Sequence, residues 1–331
     1  MMQRIPSTLK QWWQRVGAAR PSSVVAMPLL PDDALAALAQ RALTAPLLPF
    51  GSARLSTHTL IGELPSRARG RGFEFEENRP YQAGDEPRLL NWRLYARTGQ
   101  LYTRVYNEER RTEVLMIVDR RAGMRFATTG KLKVTQAATL AAYLFYQARR
   151  QLLPVGGVIL ECDLHWYAPV IGETANHAWF RAMNAPCPPL GFDTAQPAFD
   201  DALRMLGAYP GSGRHIVLLS DFADLDVATA QPLLAQLAAR HTVQAIRITD
   251  GAEHVLPSTG EYLFDDPASD EPVRVDGRDA DLQRRFRERA QARAASVHAC
   301  FEACGIALDA CATTDDAIAN LDLPRERRRA H

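Results

Sequence analysis

Ten arginines and no lysine fall between Gly62 and Arg111: Arg67, Arg69, Arg71, Arg79, Arg88, Arg93, Arg97, Arg104, Arg110 and Arg111. Glu63, Glu74, Glu76, Glu77, Asp85, Glu86, Glu108 and Glu109 nearly balance them. A lysine point charge would serve an electrostatic surface equally well. Arginine alone brings a planar fork that pairs bidentately with carboxylates and carbonyls. The chemistry offered here is fixed ion pairing, and the segment is expected to be an ordered, internally paired unit. Glu74 and Glu76 would share one face of a strand, with nothing to separate an acid from a base, so pairing with arginines is their expected role. Arg69-Gly70-Arg71-Gly72 has the look of a phosphate cradle, but the acidic run Glu74–Glu77 that follows repels phosphate.

Other reactive groups lack a setting for catalysis. Ser66, Ser220 and Ser258 have no G-x-S-x-G context, and no G-x-x-x-x-G-K-[ST] loop is present for nucleotide hydrolysis. The five cysteines (Cys162, Cys187, Cys300, Cys304, Cys311) form no C-x-x-C pair. Cys300 and Cys304 share a helix face near His298, without zinc spacing. Buried free thiols in a reducing compartment are expected, hence a cytoplasmic location.

These residues need elements to hold them. A chain of 331 residues, 47% apolar and 23% charged with net charge +1, is ordinary for a soluble protein and demands neither nucleic acid nor anionic lipid. The longest apolar candidate for a membrane span, Ala137–Tyr146, is about half the roughly twenty residues required. No signal peptide is recognisable, although Lys10, Trp12, Trp13 and Arg15 could rest a short helix on a membrane surface. Asp32-Asp33 are expected to cap a helix that ends at Ala45-Pro46. Asp85 is the expected N-cap of a helix from Arg88 to Thr98, stopped by Gly99, with a strand over 101–106 after it.

From Glu113 the pattern alternates. Strands are expected at Val114–Val118, Val155–Leu160, His215–Ser220 and Val243–Ile248, with helices at Lys131–Gln151, Ala198–Leu206 and Ala228–Arg240. This is the signature of a doubly wound α/β sheet, mostly parallel. A hairpin is expected at Glu261–Phe264 and Val273–Val275, then a helix from Asp279 to Cys304. The arginines of that last helix read as a solvated basic face, and the tail Arg325–Arg329 as exposed. The boundaries are an N-terminal arm over 1–50, an arginine-rich module over 51–112, an α/β domain over 113–322 and a basic tail over 323–331.

The arginine-rich segment also carries a resemblance. Arg69-Gly70-Arg71-Gly72, Phe75-Glu76, Arg79, Tyr81, Gly84-Asp85, Arg88, Trp92 and Ala96-Arg97-Thr98 resemble the signature of the family called domain of unknown function 58. That signature reads R-G-x-G, F-E, R-x-Y-x-x-G-D-x-x-R, Trp, A-R-T, and a looser likeness extends to about Leu323. Trp92, Tyr81, Phe73 and Phe75 are expected as core residues that seat the module against the α/β domain. Arg79, Asp85, Arg88, Arg93 and Arg97 are expected as structural pairs and caps, and contact with a partner is compatible with this.

The resemblance implies a von Willebrand A-like domain. Such domains hold a metal at the sheet top through D-x-S-x-S, a threonine and a later aspartate. Here Asp119 stands in place, but Arg121 and Gly123 occupy both serine positions. Thr194 and Asp221 match the remaining ligands. Two or three donors of about five are left, a poor set for Mg²⁺, so no cofactor is expected. Either Arg120 or Arg121 pairs with Asp119 or Asp221 in place of a metal, or both arginines face solvent. The contact face expected from the resemblance comprises Asp119, Arg120, Arg121, Gly123, Met124 and Asp221. The implied role is a non-enzymatic adaptor for a MoxR-type AAA+ ATPase acting on a client protein. Two alternatives are a metal-dependent enzyme using Asp119 and Asp221 with Glu108 or Asp193, and nucleic-acid binding through the last helix and tail.

Overall fold

The computed structural model describes residues 27–50, 73–82, 88, 90–108, 112–187, 196–256, 258, 260–264, 273–319 and 321. Arg69, Gly70, Gly72, Gly84, Asp85, Asp193, Thr194, residues 10–15 and the tail lie outside them. The chain divides into two compact units, residues 1–51 with 112–331, and residues 52–111. Helix α1 (Asp32–Thr44) belongs to the larger unit. Asp32 and Asp33 do not cap it; both lie in its first turn behind Pro31, where carboxylates favourably face the helix dipole.

The smaller unit contains β1 (Phe73–Pro80), α2 (Trp92–Thr98) and β2 (Tyr102–Glu108). The two strands pair antiparallel from Phe73↔Glu108 to Pro80↔Tyr102, with a shift in register between Phe75 and Glu77. Helix α2 begins later than expected. Leu90 bridges Thr103 and the Asn91 amide donates to Tyr102 O, which ties Leu90 and Asn91 to β2 and keeps them out of the helix. The Asn91 side chain then caps the helix, accepting from the Leu94 amide at 3.2 Å. Gly99, at φ 72, closes it, a conformation that costs glycine little. Trp92 and Tyr81, expected in a core, are 59% and 37% exposed. A two-stranded ribbon with a two-turn helix has too little surface to enclose them.

The larger unit is built on a six-stranded sheet. Its elements in chain order are β3 (Val114–Asp119), α3 (Lys133–Arg150), β4 (Val155–Leu160), β5 (Leu164–Val170), α4 (Ala178–Asn184), α5 (Phe199–Ala208), β6 (His215–Ser220), α6 (Val227–Arg240) and β7 (Thr242–Thr249). The hairpin β8 (Glu261–Phe264) and β9 (Val273–Asp276), α7 (Ala280–Ala303) and β10 (Ala307–Ala312) follow. The strand order is β10-β7-β6-β3-β4-β5. All neighbours run parallel except β5, which pairs antiparallel with β4. The β5 strand, α4 and β10 carry no strong sequence signal, because β5 and β10 are half-buried edges and α4 has seven residues.

Alternation along each strand builds two cores. Met116, Val118, Val217, Leu219, Ile246 and Ile248 pack under α1, α3 and α4. Leu115, Ile117, Leu218 and Ala245 pack under α5, α6 and α7. Residues 27–50, read as an arm, form part of the first layer. Gln147 of α3 donates to Ala42 O and Pro46 O, and Leu30 exchanges hydrogen bonds with the Asn184 side chain. Gly157 in β4, at φ 135, would set a Cβ 2.1 Å from Met116 O, so only glycine fits this close strand approach. The sheet order reverses between β3 and β6. The loops leaving their carboxyl ends diverge there and leave the crevice in which α/β sheets place their sites.

Candidate functional site

Asp119 ends β3 at that crevice and is fully buried. Its carboxylate accepts from Arg121 Nε at 3.0 Å and Nη2 at 2.7 Å, and from Ser220 Oγ at 2.6 Å. The other edge of the Arg121 guanidinium grips Asp224. Nη2 lies 2.8 Å from one oxygen, Nη1 bonds the other, and Nη1 also reaches Pro197 O at 3.1 Å. One fork thus joins two carboxylates from two loops, each bidentately. Of the two arrangements left open for the arginines, pairing is the one found, and Asp224 is an additional partner.

Asp221, which follows β6, pairs with a different cation. Lys133 Nζ donates to it at 2.7 Å and also bonds Glu253, and the Lys133 side chain is fully buried. Burial works against both cations. The carboxylates Asp119 and Asp224 outweigh it for Arg121, and Asp221 and Glu253 outweigh it for Lys133, so both are held protonated above their ordinary range. Burial also opposes ionisation of Asp221, yet the Lys133 ammonium holds it below the usual carboxylate range. Burial and the Asp221 charge push Glu253 up in spite of Lys133. The ammonium therefore serves Asp221 first.

This donor set does not fit a divalent cation. Both oxygens of Asp119 are taken up by Arg121 and Ser220. Those of Asp221 are taken by Lys133 and the Ala223 amide, the latter at 3.0 Å. Among the described residues no three acidic, histidine or cysteine side chains converge as metal ligands.

The expected contact face changes with this geometry. Arg120 and Met124 are buried and cannot meet a partner. Arg120 turns inward to the end of α4, donating to Met183 O at 3.2 Å, Ala185 O at 2.8 Å and Pro186 O at 3.0 Å. It also pairs with Glu161 at 3.1 Å. A cation on unsatisfied helix-end carbonyls is favourable, which is why this guanidinium does not face solvent. Asp119 and Asp221 are buried too. Arg121 is buried as well, at 8% exposure, so Gly123 remains, together with the Asp224 side chain, 31% exposed.

Glu108 lies in the smaller unit and Asp119 in the larger. The arginine-rich α7 is only partly a basic face: Arg284 pairs with Asp281. Arg293 Nη2 turns to the site loop, donating to Phe222 O, Ala223 O and Leu225 O at 3.2, 3.2 and 2.6 Å. Phe222 there has φ 54, a strained value for an aromatic residue, and it packs against Phe199 and Phe301.

Sequence reasoning missed Lys133, Asp224 and Glu253. A signal for Lys133 does exist: it opens α3 with no acid in the first turn. A cation at the positive end of a helix dipole is disfavoured unless carboxylates from elsewhere compensate it.

Comparison with known proteins yields a match to the family model described as "Protein of unknown function DUF58" over residues 77–296. An uncharacterized protein of Mycobacterium bovis, Mb1516, is 30% identical over 254 residues, covering 76% of this chain and 78% of that protein. The uncharacterized protein Rv1480 of Mycobacterium tuberculosis matches to the same extent. A solved structure, the conserved hypothetical protein BatB from Bacteroides thetaiotaomicron, matches at 13% identity and TM-score 0.40. It covers 66% of this chain and 100% of that one, and a likeness this weak carries no argument.

Proposed function

We propose, from the premise that the chain belongs to the DUF58 family, that it is a non-enzymatic interaction protein with a degenerate adhesion site on a von Willebrand A-like domain. Its energy-supplying partner is a MoxR-type AAA+ ATPase acting on a client protein. The sheet order, with a parallel core and an antiparallel edge at β5, is consistent with that domain type.

One observation carries the reading. At the crevice, the carboxylates that would hold a metal are each neutralised by a cation of the chain itself, Arg121 for Asp119 and Lys133 for Asp221. A metal-dependent adhesion face needs an ion with an open position for a partner's carboxylate. A face with internal cations is fixed in one state and offers the partner shape and the rim residues Asp224 and Gly123.

The test is affinity capture of the tagged full chain from its native host, with ATP and Mg²⁺, with a non-hydrolysable analogue, and with EDTA. An AAA+ ATPase is expected in the nucleotide-bound samples, and D224A is expected to weaken its recovery. Recovery of no ATPase under any condition overturns the reading.

A further inference from the structure

The smaller unit exposes side chains that a folded protein ordinarily covers. On α2, Trp92 and Tyr95 stand one turn apart, 59% and 44% exposed. Their rings meet edge to face at 6.3 Å. Tyr81 and Leu101, 37% and 38% exposed, are joined by the Tyr81 amide donating to Leu101 O at 2.9 Å. Arg93 and Arg97, at i and i+4 on the same helix, are exposed. Among the described residues neither has a hydrogen-bond or ion-pair partner, contrary to the internal pairing expected of them. The chemistry around them is one-sided: from Pro87 to Asn107 the chain has four arginines and neither aspartate nor glutamate.

Solvated lysines would keep such a unit soluble without ordered forks. Exposed Trp and Tyr beside unpaired Arg is instead the composition of binding hot spots, in which aromatic anchors lose water and guanidinium forks grip carboxylates. Charge decides the occupant. Among the described side chains of α2 and the adjoining ribbon end, Arg93 and Arg97 stand with no acid beside them, and such a face favours an acidic segment and rejects a basic one.

We infer that α2 and the adjoining end of the β1–β2 ribbon form a docking face for an acidic, partly apolar segment of a partner protein. Carboxylates of that segment seat on Arg93 and Arg97, and an apolar side chain covers Trp92 and Tyr95. This rests on the smaller unit alone. Loss of ATPase capture would leave it standing, and its own failure would not touch the sheet-top reading.

The probe is a fluorescein-labelled peptide rich in glutamate and leucine, compared with the same peptide carrying glutamine at every glutamate. Binding to the full chain is read by anisotropy, and solvent access of Trp92 and Tyr95 by hydroxyl-radical footprinting. The acidic peptide should bind roughly tenfold or more tightly than the neutral one and shield both rings. R93E/R97E should erase that preference, and W92A should weaken the acidic peptide by roughly tenfold. All three positions are exposed, so the variants retain the fold. Equal binding of the two peptides, or unchanged binding by the variants, overturns the proposal. Self-association abolished by W92A assigns the face to a second copy. Shielding of Trp92 without peptide assigns it to the rest of this chain. Either result also overturns it.

Discussion

Lys133 is a buried ammonium shared by two carboxylates, and its role follows from what its removal leaves behind. In K133M the thioether can fill much of the same volume, but Asp221 and Glu253 would face each other without a counter-ion. Breaking a buried pair by deleting one partner typically costs about 3–5 kcal/mol, because the remaining charge stays desolvated. K133M should therefore lower the urea midpoint sharply at neutral pH. Acidification should recover part of the loss, since Glu253, already pushed up by burial and by Asp221, takes a proton and ends the repulsion. A K133M protein as stable as the parent would show that the ammonium does not hold this site together. Arg121 belongs to the same logic, with its fork satisfied on both edges.

At the scale of the element, the first turn of α5 sets two effects against each other. The helix dipole favours ionised Asp200, typically by about 0.3–1 kcal/mol. Burial and the nearby Asp224 favour the neutral form, and they prevail, raising its pKa from 3.8 to about 6. Its Oδ1 has no hydrogen-bond partner among the described residues. The folded chain thus binds this proton more tightly than the unfolded one. Stability contributed by the neutral acid is fully present below pH 3.8 and is lost as pH rises toward about 6. D200N cannot ionise, so it should match the parent near pH 4 and exceed it at pH 7.5. The expected gain is about 1–2 kcal/mol, once screening by solvent at the helix end is allowed for. Denaturant unfolding at both pH values decides this. A D200N variant no more stable at pH 7.5 would mean that Asp200 finds water or a partner when charged.

For the whole molecule the internal cations predict a stability that does not depend on metal. Two loops from opposite sides of the strand-order reversal are tied by Arg121, and α3 is tied to the loops after β6 and β7 by Lys133. The chain itself makes the closures that an ion would make elsewhere. Millimolar Mg²⁺, Mn²⁺ or Ca²⁺, and EDTA, should leave the thermal midpoint unchanged. A ligand present at about a hundred times its Kd would stabilise by about 2.7 kcal/mol, raising the midpoint by several degrees, and that outcome would instead favour a metal-dependent activity. Among the described residues no helix is long and apolar enough to cross a membrane.

The parallel strands, the long helices and the hairpin were legible in sequence because burial on both faces of a sheet leaves continuous β-branched runs, and burial on one face of a helix leaves a 3.6-residue period. That Arg121 and Gly123 follow β3, and no serine, was equally plain. Tertiary structure alone decided where the charges went. An arginine fork can reach any carboxylate within its length, so the sequence could not choose between Asp119, Asp221 and solvent. Nor could it bring Lys133, 88 residues from Asp221 and 120 from Glu253, into one buried triad. The same limit applied to α2. Whether Trp92 and Tyr95 are covered depends on how much surface the surrounding elements can supply, and the small ribbon of β1 and β2 supplies too little.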